Sequence, residues 1–321
     1  MAIITSGATA LSIEMKTFYD RVLLERTVPK LIHAKFGQKK VIPKGRGKII
    51  EFRKFAGFAT ATTPLTEGVV FSDFKELSIS STTATVAQYG DAVMFSDVVS
   101  TVTIDPVLTE TTEILGEQAG ETMDELVRDT LVLGTTVLYA QARTGRTYLE
   151  AASTSYITTA DVRRIALQLE VNRARKIDGY WQMITHPRVL YDLQGTSEWI
   201  SAQQYAQTGR QFDGSVGELY GIKFWSTDKA KVYENASNAS GSTGNIDAYI
   251  SLVFGQDAFG VVDLEGHNMQ TIFKPLGSAG TADALNQQQS MGWKTMFGCK
   301  ILQQPWLLRY ECSASTGNNA S

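Results

Sequence analysis

The chain has 321 residues, of which 43% are hydrophobic and 20% are charged, and its net charge is −3 at pH 7. This composition excludes a wholly disordered chain, because it supplies enough apolar side chains for one or two packed cores. The slightly acidic balance argues against a dedicated DNA-binding protein, and no apolar run approaches the roughly 20 residues that cross a bilayer. We therefore expect a globular protein with no membrane partner.

Residues 1–43 form a predicted N-terminal arm. Leu11, Met15 and Phe18 are spaced as on one face of an amphipathic helix, and Pro29 precedes a short second turn that carries Phe36. An arm of this length cannot bury its own apolar stripe. We expect it to lie on the body of the protein or on a neighbouring chain.

Residues 44–97 are predicted to form an extended β-hairpin. In KGRGKIIEFRKF, Ile50 and Phe52 point to one face, and Glu51 and Arg53 point to the other. Two strands of about 10–12 residues would reach roughly 35–40 Å. A two-stranded ribbon is marginal by itself in water, so the sequence predicts that the hairpin lies across another surface.

Residues 98–140 are predicted to form one long helix of about 45 Å, which begins with Asp105 as its N-cap and Pro106 in its first turn. Acidic side chains crowd its first two-thirds. They are Glu110, Glu113, Glu117, Glu121, Asp124 and Glu125. Such a face is either solvated or available to pair with a partner's cations.

Residues 155–265 have the pattern of an α/β unit, in which Thr158 and Asp161 suit a helix N-terminus and Pro187 opens a second helix. Residues 266–315 return as a strand, a polar loop and a hydrophobic closing stretch, GWKTMFGCKILQQPWLLRYECSAS. We expect Cys299 and Cys312 to be reduced and buried, with a disulfide as the alternative.

Catalytic and metal-binding motifs are absent from the sequence. It contains no Walker loop, GxGxxG, GxSxG or calcium loop, and its three histidines, His33, His186 and His267, have no ligand spacing. We expect no enzyme activity, no cofactor and no metal.

A basic cluster spans residues 39–54. Its members are Lys39, Lys40, Lys44, Arg46, Lys48, Arg53 and Lys54. Three interpretations remain open: contact with the acidic helix of a neighbouring subunit, a surface facing nucleic acid, or a solvated loop.

The order of these parts resembles the α+β fold of tailed-bacteriophage major capsid proteins, including podophage-type members. GELYGIKFWSTDKA, LVFGQDAFGVV and the closing stretch resemble phrases of that family and occur in its order. The resemblance implies an N-terminal arm (1–43), an extended hairpin loop (44–97), a peripheral domain with a long spine helix (98–154 and 266–304), an axial α/β domain (155–265 and 305–315) and a flexible tail (316–321).

The resemblance also implies a function. Copies would assemble as pentamers and hexamers into an icosahedral shell around packaged double-stranded DNA, which they would contact non-specifically. The chain would be made in the bacterial host cytoplasm and end in the virion capsid, with a portal protein and separate scaffold or decoration proteins as further partners. An encapsulin-like compartment, which has the same fold, is the alternative; an enzyme or a tail protein is a more distant one.

The predicted assembly residues come from the hairpin and the acidic helix. Ile50, Phe52, Phe55 and Phe58 are expected to cover a neighbour. Lys48, Arg53 and Lys54 are expected to pair with Glu113, Glu117 and Glu121 across subunits. The closing stretch is expected to join the peripheral and axial domains within one subunit, so its removal should abolish folding.

Overall fold

The structure is a computed structural model that describes residues 32–98, 107–150, 153–196, 217–237, 246–266 and 269–316, except positions 66, 69, 71 and 73, together with Trp199. The helices are α1 (Val107–Val132), α2 (Thr159–Val171) and α3 (Pro187–Gln194). The strands are β1 (Gln38–Ile42), β2 (Ile49–Phe55), β3 (Ile79–Thr85), β4 (Ala87–Ser96), β5 (Val137–Tyr139), β6 (Trp181–Thr185), β7 (Gly217–Leu219), β8 (Ile222–Ser226), β9 (Val232–Ser237), β10 (Ile246–Phe254), β11 (Phe259–Leu264), β12 (Gln270–Lys274), β13 (Gln288–Ile301) and β14 (Leu307–Cys312). The predicted arm helix, Asp105, Pro106 and His267 lie outside the described residues.

A five-stranded sheet is organised around β13. One edge of this 14-residue strand pairs with β11 and then with β12, while β4 pairs with the other edge over ten residues. β1 adds to β11 in parallel. β4, which lies within the predicted hairpin loop, thus pairs with β13 in this sheet.

A seven-stranded sheet forms the second layer, in the order β5-β14-β10-β6-β8-β7, with β9 pairing beside β6 on β10. Local signals explain several of its parts. Thr158 and Asp161 form a reciprocal capping box at the start of α2, as predicted. Tyr220 (φ 50°) and Gly221 (φ 77°) are both left-handed, which is the turn geometry that tight hairpins such as β7–β8 require.

Helix α1 packs against both sheets. Its Leu115 and Ala119 contact Met291 and Trp293 of the five-stranded sheet. Further along, Val127 and Leu131 enter a core that contains side chains from both sheets, including Phe254, Phe259 and Phe297. This shared core joins the two layers.

None of the helices that the structure describes is long and apolar enough to cross a membrane.

The long helix is shorter than predicted. α1 ends at Val132, and the chain then forms β5, so residues 133–139 are not helical. Gly134 lies beside the closing stretch: a Cβ at this position would lie 3.1 Å from a side-chain carbon of Leu307. The missing side chain lets β14 approach closely, and the parallel pairing of β5 with β14 replaces the expected last turns of helix.

The closing stretch contributes to both sheets, through β13 in one and β14 in the other. Within β14, Leu307, Leu308, Tyr310 and Cys312 are completely buried. Glu311 is buried as well, and Arg146 binds it through two hydrogen bonds of 2.7 and 2.8 Å. These contacts fix the strand that the sequence predicted would join the two parts of the chain.

The two cysteines are free, as predicted, and Cys312 is completely buried. Burial raises the pKa of the Cys299 thiol to about 12 from 9.0, and it raises the pKa of the Cys312 thiol as well. Both groups therefore stay neutral in the folded protein at pH values where unfolded thiols ionise.

This shift predicts a loss of stability at high pH. Above about pH 9 the unfolded chain binds fewer protons than the folded one, so the free energy of unfolding should fall by about 1.4 kcal/mol per pH unit for each such thiol. Urea titrations between about pH 8 and 10.5 would measure the slope. Cys299→Ala should make the decline shallower; an unchanged slope in that variant would contradict the assignment to Cys299.

Candidate assembly surfaces

The hairpin of β2 and β3 is anchored to its own protomer at its base. The strands pair from Ile49 with Thr85 to Phe55 with Ile79. Phe52 is only 7% exposed and packs with Ile42 and Val262, while Ile50 is half-buried against the same cluster. The ring of Phe52, which the sequence pattern predicts to cover a neighbour, therefore lies in the core of its own chain.

A glycine makes this anchoring possible. A Cβ at Gly260 would lie 2.7 Å from Cζ of Phe52, which is closer than real contacts allow. The Phe52 ring thus lies directly on the backbone of β11, and the ammonium group of Lys40 lies 4.5 Å from its centroid. The alternation of the strand predicted correctly that Ile50 and Phe52 share a face, but it carried no information about which surface that face meets.

Beyond its base the hairpin is exposed. The exposed fractions of Phe55 and Phe58 are 58% and 61%, and the described residues between 56 and 78 form no helix or strand. Leu65 and Val70 are 80% and 88% exposed. We call residues 55–78 the apolar loop. Several large apolar side chains exposed along one loop are typical of an interaction surface, since water stabilises them poorly.

The cations near the apolar loop differ in their surroundings. Arg53 lies 3.1 Å from Glu51 on the same exposed strand face, and this hydrogen bond lowers the pKa of the Glu51 carboxyl. The ammonium group of Lys54 donates to Oε1 of Gln303 at 3.0 Å. Lys48 is exposed at the start of the hairpin. These groups carry positive charge along the base of the apolar loop.

The acidic helix is only partly available. Glu121 already accepts a hydrogen bond from Lys229 at 3.1 Å, which raises the pKa of that lysine. Glu125 lies 3.3 Å from Arg128, whose guanidinium also lies 3.0 Å from Asp129. The structure thus places Glu121 in a pair within the chain, while Glu113 and Glu117 lie half-buried on the first half of α1.

Nothing in the sequence indicates that Asp124 is buried. Its carboxylate accepts the backbone N–H of His33 at 2.7 Å and contacts Nδ1 of the same histidine at 2.6 Å, and both side chains are almost completely buried. This contact fixes the end of the N-terminal arm on α1. A lone histidine and an acidic helix, 91 positions apart, gave no signal of the pair.

An apolar residue lies within the remaining acidic strip. Ile114 is 62% exposed, Glu110 and Glu117 neighbour it at helical spacing, and Glu113 directly precedes it. This strip combines an exposed aliphatic side chain with negative charge, whereas the base of the apolar loop combines exposed aromatic rings with positive charge. The two surfaces are complementary in both respects.

The described residues contain no group of three or more histidine, cysteine, aspartate or glutamate side chains that could hold a metal ion. His186 serves the fold: its Nδ1 accepts the backbone N–H of Arg188 at 3.2 Å, which caps α3. Burial lowers the pKa of this imidazole.

Comparisons with known proteins place the fold. No family model matches the sequence, and no curated protein matches it. Many solved structures are similar to the chain, including those of three phage capsids. The capsid structure of cyanophage P-SCSP1u shares 17% identity at a TM-score of 0.66 and covers 89% of each chain. The capsid of Ralstonia phage GP4 shares 15% identity at a TM-score of 0.68 and covers 90% of each chain.

The third structure comes from a phage of a different host. The capsid of Helicobacter pylori bacteriophage KHP30 shares 12% identity at a TM-score of 0.61 and covers 86% of each chain. At these identities the likeness shows the fold. The chain has the α+β fold of tailed-phage capsid proteins, as its sequence predicted.

Proposed function

We propose that this chain is the major shell protein of a tailed-phage capsid, whose copies assemble as pentamers and hexamers into an icosahedral shell around packaged double-stranded DNA. The similarity to three phage capsid structures, along 86–90% of the chain, carries the proposal. Synthesis in the bacterial cytoplasm and a final place in the virion follow from it, as do a portal protein and separate scaffold or decoration proteins as partners.

The exposed apolar loop supports assembly on physical grounds. Burying one large apolar side chain contributes about 1.5–3 kcal/mol, and Phe55, Phe58, Leu65 and Val70 leave that contribution unused in a single protomer. Contacts with neighbouring copies would recover it. Each contact can be weak, because every subunit of a closed shell makes several at once.

The surfaces described above define the proposed contact. Phe55 and Phe58 meet the strip around Ile114 on a neighbouring copy, and Lys48, Arg53 and Lys54 face Glu113 and Glu117 there. Glu121, the third predicted partner, also pairs with Lys229 within its own chain. Ile50 remains only half-buried on its own chain and lines the edge of the contact.

We also propose changes to the predicted domain boundaries. The hairpin loop ends at Val86, since β4 is part of the five-stranded sheet. The axial domain ends near Gly255, since β11 pairs with β13 and not with β10. The peripheral domain then comprises α1 and the five-stranded sheet, and the axial domain comprises the seven-stranded sheet with α2 and α3.

An encapsulin-like compartment is the second candidate. The phage origin of the three similar structures favours the phage shell. Negative-stain microscopy of the purified full-length protein tests assembly directly. Closed icosahedral shells support the proposal, whereas open tubes, or only monomers at high concentration, contradict it. Particles from the source that contain double-stranded DNA support the phage shell, and a protein cargo supports the compartment.

Charge reversal at the base of the apolar loop should block assembly without unfolding the subunit. In Arg53→Glu/Lys54→Glu two exposed cations become anions that would face the acidic strip of a neighbour. Exposed pairs contribute only about 0.2–1 kcal/mol, so the free energy of unfolding should change little. Size-exclusion chromatography should show folded, unassembled subunits. Normal shells from this variant would remove the charge contact from the proposal.

A further inference from the structure

A dense group of cations lies on β1 and on the turn that follows it. Five basic residues occur within ten positions of a chain that is acidic overall. They are Lys39, Lys40, Lys44, Arg46 and Lys48, and we call the first four the basic turn, since Lys48 belongs to the proposed hairpin contact. Lys39 and all three cations after β1 are exposed.

The shape of the turn holds its side chains clear of the body. The backbone N–H of Arg46 donates to the carbonyl of Pro43 at 3.2 Å, which closes the turn. Gly45 and Gly47 are left-handed, at φ 82° and 88°, and no atom lies within 4 Å of where their Cβ atoms would be. Arg46 therefore projects between two glycines into open space.

The charge of the basic turn is only partly balanced within the protomer. Asp263 lies near Lys39, although burial raises the pKa of that carboxyl. Glu265 accepts the backbone N–H of Lys44 at 3.4 Å. Within the described part of the chain, the side chains of Lys44, Arg46 and Lys48 form no ion pair.

Several arginines elsewhere in the protein have carboxylate partners. Arg146 has the carboxylate of Glu311 at 2.7 Å, and Arg143 has that of Glu150 at 2.8 Å. A partner that supplies several negative charges would balance the basic turn.

We propose that the basic turn binds the phosphate backbone of double-stranded DNA. A duplex carries one negative charge per roughly 1.7 Å of its axis, so a projecting turn of any detailed shape finds phosphates within reach. The acidic helix of another copy fits less well, because Glu121, Asp124 and Glu125 already have cationic or histidine partners within their own chain, and the proposed hairpin contact uses Glu113 and Glu117. The proposal rests on the proposed function for the identity of the DNA, but it concerns a contact that subunits can make without forming shells.

The test uses the full-length chain, a fluorescent duplex of arbitrary sequence and anisotropy measured from about 50 to 200 mM KCl. Lys44→Gln/Arg46→Gln removes two charges from the basic turn and leaves Lys48, which belongs to the proposed hairpin contact. Arg173→Gln/Arg175→Gln is the matched control, since it removes two exposed charges from the loop after α2. Assembly of each variant is followed separately by microscopy.

The basic-turn variant should bind at least tenfold more weakly at the lowest salt, and its slope of log K against log[salt] should be shallower by about two. The control should bind like the unchanged chain. Equal losses in both variants, or no loss in either, overturn the proposal. Unchanged DNA binding with failed assembly also overturns it and assigns the basic turn to a contact between copies. If shells form normally and DNA binding is unaltered, only this inference fails.

Discussion

Removing the chain from Leu307 onward should leave a protein that does not fold. β14 lies between β5 and β10 inside the seven-stranded sheet, so its loss exposes both neighbours and the interior they share. Its side chains Leu307, Leu308, Tyr310 and Cys312 have no exposed surface. Since a whole domain is stable by only about 5–15 kcal/mol, losing four fully buried side chains exceeds that margin.

Graded substitutions measure the same effect where truncation gives only an all-or-none result. Leu308→Ala should lower the free energy of unfolding by about 2–5 kcal/mol. Leu133→Ala, at a site that is 74% exposed, should change it by less than about 0.5 kcal/mol. Circular dichroism during urea unfolding reports both values. A truncated chain that is soluble, monomeric and melts cooperatively would contradict the central place of β14.

Three phenylalanines of the hairpin should separate folding from assembly. Phe55→Ala/Phe58→Ala should leave the free energy of unfolding almost unchanged, because both rings are more than half exposed in the protomer. Shell formation should be lost, since each neighbour contact would lose about 3–6 kcal/mol of apolar burial. Phe52→Ala is the converse. Loss of its buried ring should lower the free energy of unfolding by about 3–5 kcal/mol.

Urea unfolding and negative-stain microscopy of the same preparations distinguish the two effects. We expect folded subunits without shells from Phe55→Ala/Phe58→Ala, and destabilised subunits from Phe52→Ala. Shells of normal yield from the double variant would show that the exposed rings do not contribute to assembly. A double variant that is as unstable as Phe52→Ala would show that the apolar loop packs on its own body.

Local signals in the sequence predicted the parts of the fold that short-range physics decides. The capping box at Thr158 and Asp161, and the proline at the start of α3, are settled within a few residues of each other. The left-handed Tyr220 and Gly221 are settled by the turn itself. These elements appear in the structure where their residues indicated.

Long-range pairing explains where the sequence reading failed. Ala87–Ser96 alternates like a hairpin strand, but its partner is β13, which lies about 200 positions later in the chain. The period of two in a strand fixes which residues share a face and leaves the partner undetermined. For the same reason the alternation of β2 does not show which surface Phe52 meets. In the structure its ring packs against Val262 and Gly260 of β11 in its own chain.

The candidate surfaces were predicted in part. The residue types of the apolar loop indicated an exposed ribbon, and the structure exposes Phe55 and Phe58. The sequence does not distinguish the acidic residues of the helix from one another. In the structure Asp124 points into the protein and binds His33, and Glu121 forms an ion pair with Lys229. Composition cannot separate a buried carboxylate from a solvated one, because that difference depends on where the distant cation or imidazole arrives.

The core that α1 shares with both sheets has a mechanical consequence. Val127 and Leu131 pack among aromatic rings from both layers. The ring centroids of Phe254 and Phe259 lie 5.3 Å apart there, in an edge-to-face arrangement. Tilting one layer against the other would pull this close-packed interior apart, and such interiors resist deformation. Each subunit should therefore behave as a stiff body. Under internal pressure, a shell built from such subunits would deform mainly at the interfaces between them.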